Sequence, residues 1–410
     1  LNGSNVKPEN ESEYKFKFLK GGPRRSEWAS GVAILKEPPN EETPQQNNSG
    51  GGGGSGGGGG TSSGKGFRSD DVIEAIVTPD WMDEPPGNGK PSHYKCLNGR
   101  MVWEEGSRFD GSLTKQRDPT EAAMNAESFE LLGTDNQNKS LGSSQFLTYE
   151  KVKNSLPWLK FDRYRESIIS KESASEGYSG FNADGYIGAY QFGYDAMRQQ
   201  GFIKIKDEDF EKIKSDPNNR RTKVNKEGES YSSRYSRRMT EVMLLNNEWD
   251  DPSVIERWGE ETAAEYQLLK EAYYADGASS VQQQAIRKEA SEKLKNNYDQ
   301  QDNMFATYTM SRLESMYRAG LVDFSSPAEI HGLLGGAHLR GIGQVPSSAQ
   351  DLNYVVADGS GVYEFMKDGT DNKDANDTPL SKYYEVMQVG FWNDTMQNPC
   401  EDPESDGEPE

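Results

Sequence analysis

Apolar residues recur at helical spacing through most of the second half of this chain and alternate in only a few short stretches. Phe161, Tyr164 and Ile168 lie three and four apart, as on one face of a helix, and four residues further that stripe reaches Glu172. Asn182-Ala183-Asp184-Gly185 then has the composition of a tight turn. Tyr186, Gly188, Tyr190 and Phe192 alternate with Ile187, Ala189 and Gln191, which predicts a strand and hence a small hairpin. Helical periods continue over 210–214, 235–245, 252–258, 262–274, 281–294 and 303–317, with a turn at 216–219. Pro327 stands where another helix can start. Upstream the pattern thins. Residues 14–19 and 30–35 read as short strands, and 94–96 with 101–103 as a hairpin around Asn98-Gly99. The expected fold class is mainly α, an α+β domain with a small hairpin, preceded by an extended, irregular N-terminal region with short β-strands.

Composition divides the chain. Residues 50–60 are almost all glycine, a run that buries nothing and behaves as flexible coil. The expected organisation is a strand segment at 1–37, a linker at 38–66, an extended intermediate segment at 67–145, a mainly helical domain at 146–395 and an acidic tail at 396–410. A mean hydropathy of -0.93 with 32% hydrophobic residues agrees with much of the chain being surface or linker. Net charge is -21, which argues against sequence-independent binding to nucleic acid or an anionic membrane. No stretch approaches the ~20 apolar residues of a membrane span. The chain begins with Leu1 and no signal-peptide pattern, so we expect a processed product or a fragment. Cys96 and Cys400 fit no metal spacing; they either pair or stay free, and free thiols are the expectation. Three histidines make no zinc site, and no cofactor or metal is expected.

The chemistry centres on Glu172. A carboxyl on a buried stripe is partly desolvated, which raises its pKa and suits a general acid. A helix end carrying such a group, followed by a turn rich in glycine and tyrosine, suits a saccharide, since tyrosines stack on sugar rings and donate hydrogen bonds. Glu176 and Asp184 are the nearest second carboxylates, and Asp184 reads more simply as a turn residue. The acidic run 368–377 lacks the glycine and closing glutamate of a calcium loop and reads as a solvated loop. On so acidic a chain, a substrate carrying carboxylates would have to rely on local basic residues such as Arg198 or Arg340.

Three short stretches, in order, carry a resemblance. Glu172-Ser173, then Gly188-Ala189-Tyr190-Gln191-Phe192-Gly193, then Gly335-Gly336-Ala337-His338-Leu339-Arg340-Gly341-Ile342-Gly343 resemble the signatures of phage-type lytic transglycosylases, within the lysozyme-like superfamily. Asn376-Asp377-Thr378-Pro379-Leu380-Ser381, followed by Lys382-Tyr383-Tyr384, is similar to the segment and helix that close such domains. The likeness covers roughly 146–392, with a long polar insertion between the second and third stretches. It implies that Glu172 is the catalytic acid and base. It implies that Ser173, Tyr186, Gly188, Tyr190, Gln191, His338 and Tyr383 line a groove for peptidoglycan glycan strands. One departure stands out: where many members have Ala-Tyr-Asn-Ala-Gly, this chain has Ala337, His338, Leu339, Arg340 and Gly341, so the tyrosine that would steady the glutamate is a histidine. The resemblance implies an enzyme cleaving the β-1,4 bonds of peptidoglycan, as a lytic transglycosylase or lysozyme-type muramidase. It would be carried in the virion on a phage tail or baseplate, with other tail subunits as partners, and would act in the bacterial periplasm. The alternative is a structural tail protein with an inactive lysozyme-like domain.

Overall fold

A computed structural model describes residues 17–18, 26–27, 80–106, 146–173, 176–225, 228–322, 326–343, 361–373, 377–392 and 398–400. Among these residues three antiparallel strand pairs accompany a mostly helical body: β1 (Lys17–Phe18) with β2 (Ser26–Glu27), β3 (Ser92–Leu97) with β4 (Arg100–Glu105), and β5 (Arg221–Val224) with β6 (Ser230–Ser233). The helices are α1 (Tyr149–Ser155), α2 (Phe161–Glu172), α3 (Tyr194–Gln199), α4 (Asp207–Ser215), α5 (Arg237–Leu245) and α6 (Pro252–Trp258). They continue with α7 (Glu260–Tyr273), α8 (Ser280–Asn296), α9 (Tyr298–Arg318), α10 (Pro327–Arg340), α11 (Val362–Asp368) and α12 (Leu380–Trp392).

Local sequence explains many of these boundaries. Ser236 caps α5 by accepting from Met239 N at 3.0 Å. Asp251 caps α6 from Ser253 N at 2.9 Å, with Pro252 as its first residue. Ser279 and Gln282 form a reciprocal capping box on α8. The stripe Phe161, Tyr164 and Ile168 is buried as its spacing predicts. Phe305 of α9 stacks on Phe161 and on Tyr164, each at 5.4 Å, and on Tyr190 at 4.1 Å. These rings form the centre of a continuous core, which Trp249, Trp258 and Tyr266 extend towards α7.

Three helices meet around the end of α2. A Cβ at Gly335 of α10 would run into Met387 of α12, and one at Gly390 of α12 would run into Ser167 of α2. Both helix pairs therefore approach more closely than any larger residue allows. Since α2, α10 and α12 carry Glu172, His338 and Tyr383, this close packing brings those side chains together.

Several expectations change. The predicted strand over 186–192 is a pair of reversals. The expected turn at 182–185 forms and lets Ile187 bridge Phe181, but the chain then turns back again through Gly188 (φ 83°) and Gln191 (φ 49°), so that Ile187 also bridges Phe192. The thiols of Cys96 and Cys400 are not free: they are bonded to each other, with Cα atoms 5.2 Å apart. The hairpin at Asn98-Gly99 forms with Tyr94 opposite Trp103 and Cys96 opposite Met101, as expected. It is also part of the helical body. Met82, Tyr94 and Met101 bury against Val389 of α12, with Trp81, Trp103, Trp392 and Cys400 around them. Gln388 Nε2 donates to Ser92 O at 3.0 Å, and Gly87 N donates to buried Glu385 at 3.1 Å. A division at 145/146 therefore cuts through packed structure, and residues 398–400 belong to it rather than to a loose tail. The partner of Lys17–Phe18 is 26–27. The strand expected at 30–35, the linker at 38–66 and the tail beyond 400 lie outside the described residues.

Candidate active site

Glu172 is the last residue of α2, and its side chain is 17% exposed. The turn after it is tied down from two directions. Ser173 Oγ donates to Ala189 O at 2.7 Å, joining the helix end to the 188–191 reversal. From α9, Gln301 Oε1 accepts from Ala189 N at 2.8 Å, while its Nε2 donates to Leu294 O at 2.9 Å and Tyr178 O at 3.1 Å. Gly188 is required twice: its φ is left-handed, and a Cβ there would strike the Gln301 amide. Apolar helical spacing begins only at 303, so Gln301 lies outside the helix that the pattern predicts. Asn297 is the available signal, since its side chain caps α9 by accepting from Gln300 N at 3.1 Å.

Two side chains from other helices face the Glu172 carboxyl. Tyr383 OH donates to Glu172 Oε1 at 2.5 Å. His338 Nε2 lies 3.8 Å from the same oxygen and 3.2 Å from Tyr190 O. A carbonyl can only accept, so Nε2 carries the proton and donates to Tyr190. Burial pushes the His338 imidazole down to about 4, helped by Arg312 and opposed by the Tyr190 bond. At neutral pH the ring is uncharged, and the contact with Glu172 is not an ion pair. His338 Nδ1 is buried without a hydrogen-bond partner. Phe192, Phe305 and Tyr308 surround the ring at 5.6 to 6.4 Å. Tyr186 completes the neighbourhood. Its phenol is pushed up to about 12, mainly by burial, with the charge of Glu172 among the smaller causes. Its ring lies 6.2 Å from that of Tyr235.

The structure gathers Glu172, Tyr186, His338 and Tyr383 and sends other candidates inward. Tyr190 is 1% exposed, and its hydroxyl, with that of Tyr178, is bound to Asp302. Ser173 is buried, so its hydroxyl positions the backbone. Gln191 spans its own turn: Oε1 accepts from Asn182 Nδ2 and Nε2 donates to Gly188 O, both at 2.9 Å. Asp184 pairs with Arg221 at 3.3 Å and Lys223 at 2.5 Å, anchoring the β5–β6 hairpin. Glu176 is exposed, with its carboxylate beside Gly180 and the Gln191 amide. Arg198 stacks on Phe210 at 3.6 Å and lines a separate cleft of about 730 Å³ with Asp195, Lys204 and Glu256.

In the acidic run, Asp371 accepts from Ser381 N at 2.9 Å and from Ser381 Oγ at 2.5 Å, so this carboxylate helps start α12. Among the described residues no group of His, Cys, Asp and Glu could hold a metal ion, and no helix is long and apolar enough to cross a membrane. No family model, curated protein or solved structure matches this chain. The arrangement itself provides a half-buried carboxyl, one oxygen of which is held by a phenol, beside an uncharged imidazole. Such a group can give a proton to a bound ether oxygen and take one back.

Proposed function

We propose that this chain cleaves the β-1,4 glycosidic bonds of peptidoglycan, with Glu172 as general acid and then general base. The observation that carries the reading is the convergence of three helices on one half-buried carboxyl, Tyr383 OH 2.5 Å from it and an uncharged His338 beside it. Glu172 gives its proton to the glycosidic oxygen as the bond from C1 to that oxygen breaks, and the leaving sugar departs as an alcohol. The Glu172 carboxylate then takes the proton of the attacking hydroxyl as the new bond to C1 forms. If that hydroxyl is the sugar's own 6-OH, the product is a 1,6-anhydro end and the enzyme is a lytic transglycosylase. If it is water, the product is a reducing end and the enzyme is a muramidase. Tyr383 keeps the carboxyl in one orientation. The uncharged His338 fixes the Tyr190 carbonyl without placing a cation against Glu172. The same reading assigns the protein to a phage tail or baseplate, where the strand segment at 1–37 would meet other subunits.

The test is Glu172→Gln in a zymogram against purified cell walls. The variant is expected to fold normally and lose on the order of 10²–10⁴-fold in rate. Lysis at the wild-type rate would refute the assignment, and a wild-type protein that lyses no cell wall would refute the enzyme. Mass spectrometry of the released fragments separates the two products, since an anhydro end is lighter by one water.

A further inference from the structure

Lys171 is a lysine buried to 5% exposure in the last turn of α2, a place where a charge is rarely left without a use. As the immediate neighbour of Glu172 on a helix it points to a different side, so the two do not face each other directly. It shares a face with Ser167, four residues earlier, and that face lies against α12. Close packing of Gly390 on Ser167 draws α12 in, and the ring of Tyr383 then comes to lie under the lysine, with Nζ 4.9 Å from the ring centroid. The hydroxyl of that same ring donates to Glu172 Oε1. Lys171, Tyr383 and Glu172 therefore form a relay in which a cation meets the face of a phenol and the phenol meets the carboxyl.

We propose that Lys171 is a positioning residue for Glu172, acting through the ring of Tyr383. A cation over the face of a phenol is attracted to its electrons and stabilises negative charge developing on its oxygen. The phenol becomes a stronger donor, and its bond to the carboxyl tightens most when the carboxyl is ionised. The inference rests on the general-acid reading of Glu172 and adds a residue that acts through the Tyr383 ring. Among the described residues, His338 from α10 and Tyr383 from α12 reach Glu172, and Tyr164 from its own helix and Tyr186 from the turn feel its charge. Burial holds Tyr164 well above the ordinary phenol value, Tyr186 near 12 and His338 near 4, so none of these three changes charge around neutral pH.

The experiment is a double-substitution cycle on the full chain, comparing Lys171→Met, Tyr383→Phe and the pair, with Lys171→Arg as a conservative control. Lysis rates are followed against pH, and melting temperatures are recorded for each protein. Lys171→Met is expected to lower kcat about 10-fold with KM unchanged, which corresponds to loss of about one good hydrogen bond. It is expected to move the high-pH limb of the rate, where the general acid loses its proton, up by about half a unit. Lys171→Arg keeps the cation and should restore most of the rate. In the Tyr383→Phe background, Lys171→Met should change neither the rate nor the limb, because the relay is already broken. Multiplying effects in the pair, an unmoved limb, or equal damage from Met and Arg would overturn the proposal. A melting temperature that falls in step with the rate would assign Lys171 to folding alone and overturn it too. Any of these results with Glu172→Gln inactive removes only the role of Lys171, whereas an active Glu172→Gln removes both.

Discussion

Breaking the Cys96–Cys400 bridge tests how far the N-terminal hairpin and the helical body are one folding unit. The bridge closes a loop between residues 304 apart in sequence. In the chain-entropy treatment, closing a loop that long takes about 19 cal/mol/K from the unfolded chain, or about 5–6 kcal/mol at 25 °C. At about 2.1 cal/mol/K of unfolding entropy per residue over a body of roughly 250 residues, the loss corresponds to a fall of about 10 °C in Tm. The native contacts should survive, because Met82, Tyr94 and Met101 stay buried against Val389 and Gln388 still holds Ser92. Scanning calorimetry of Cys96→Ser/Cys400→Ser, and of wild type with and without a reductant, measures the effect. One transition, lowered by several degrees in both cases, is expected. A fall of under about 2 °C would show that the hairpin comes away before the body unfolds, so that the bridge joins two independent units. A fragment beginning near residue 144 should then be as stable as the whole; on the packing described here it is not.

The other predictions concern the site. Tyr383→Phe removes the hydroxyl held by Glu172 Oε1 while keeping the ring in the core. Lysis is expected to slow about 10- to 100-fold, from a charged hydrogen bond worth about 1.5–3 kcal/mol, and an unchanged rate would remove Tyr383 from the site. His338 makes stability depend on pH: the folded ring titrates near 4 and an unfolded one near 6.5, so below that value the unfolded state binds the extra proton. Its contribution is complete above pH ~6.5 and falls as pH drops towards ~4, by about 2–3 kcal/mol at pH ~4.5. Urea unfolding of wild type and His338→Gln at pH ~7 and ~4.5 measures this, and an equal acid loss in both proteins would contradict the buried, uncharged ring.

The helical part of the fold was legible because its signals are local. Asp251-Pro252 sets the start of α6, and the expected 252–258 matches Pro252–Trp258. Asn98-Gly99 sets a hairpin and its register. What could not be read depends on residues far apart in sequence. Arg221–Val224 and Ser230–Ser233 have little apolar alternation, and their hairpin is held at Asp184 by two ion pairs that no strand pattern announces. The hairpin at 92–105 finds its partner on α12, nearly three hundred residues later. Val362–Asp368 is too short for its period to rise above the surrounding polar sequence.

The site shows the same division more sharply. Glu172 could be singled out as a candidate because the apolar stripe of α2 runs into it, a property of one helix. The substitution at His338 could be seen too, but its consequence could not. Along the chain it reads as the loss of a tyrosine that steadies the acid. In three dimensions a phenol still reaches that acid, from Tyr383 on α12, because glycines at 335 and 390 let α12 lie close against both α10 and α2. His338 then bonds Tyr190 O and keeps its ring uncharged, whereas a protonated imidazole at the same place would set a cation 3.8 Å from the carboxyl. That cation, set directly against the carboxyl rather than behind the Tyr383 ring as Lys171 is, would hold the carboxyl in its ionised form. The burial that strips His338 of its charge is therefore what lets a histidine stand beside the carboxyl proposed as the general acid, and a motif cannot show burial.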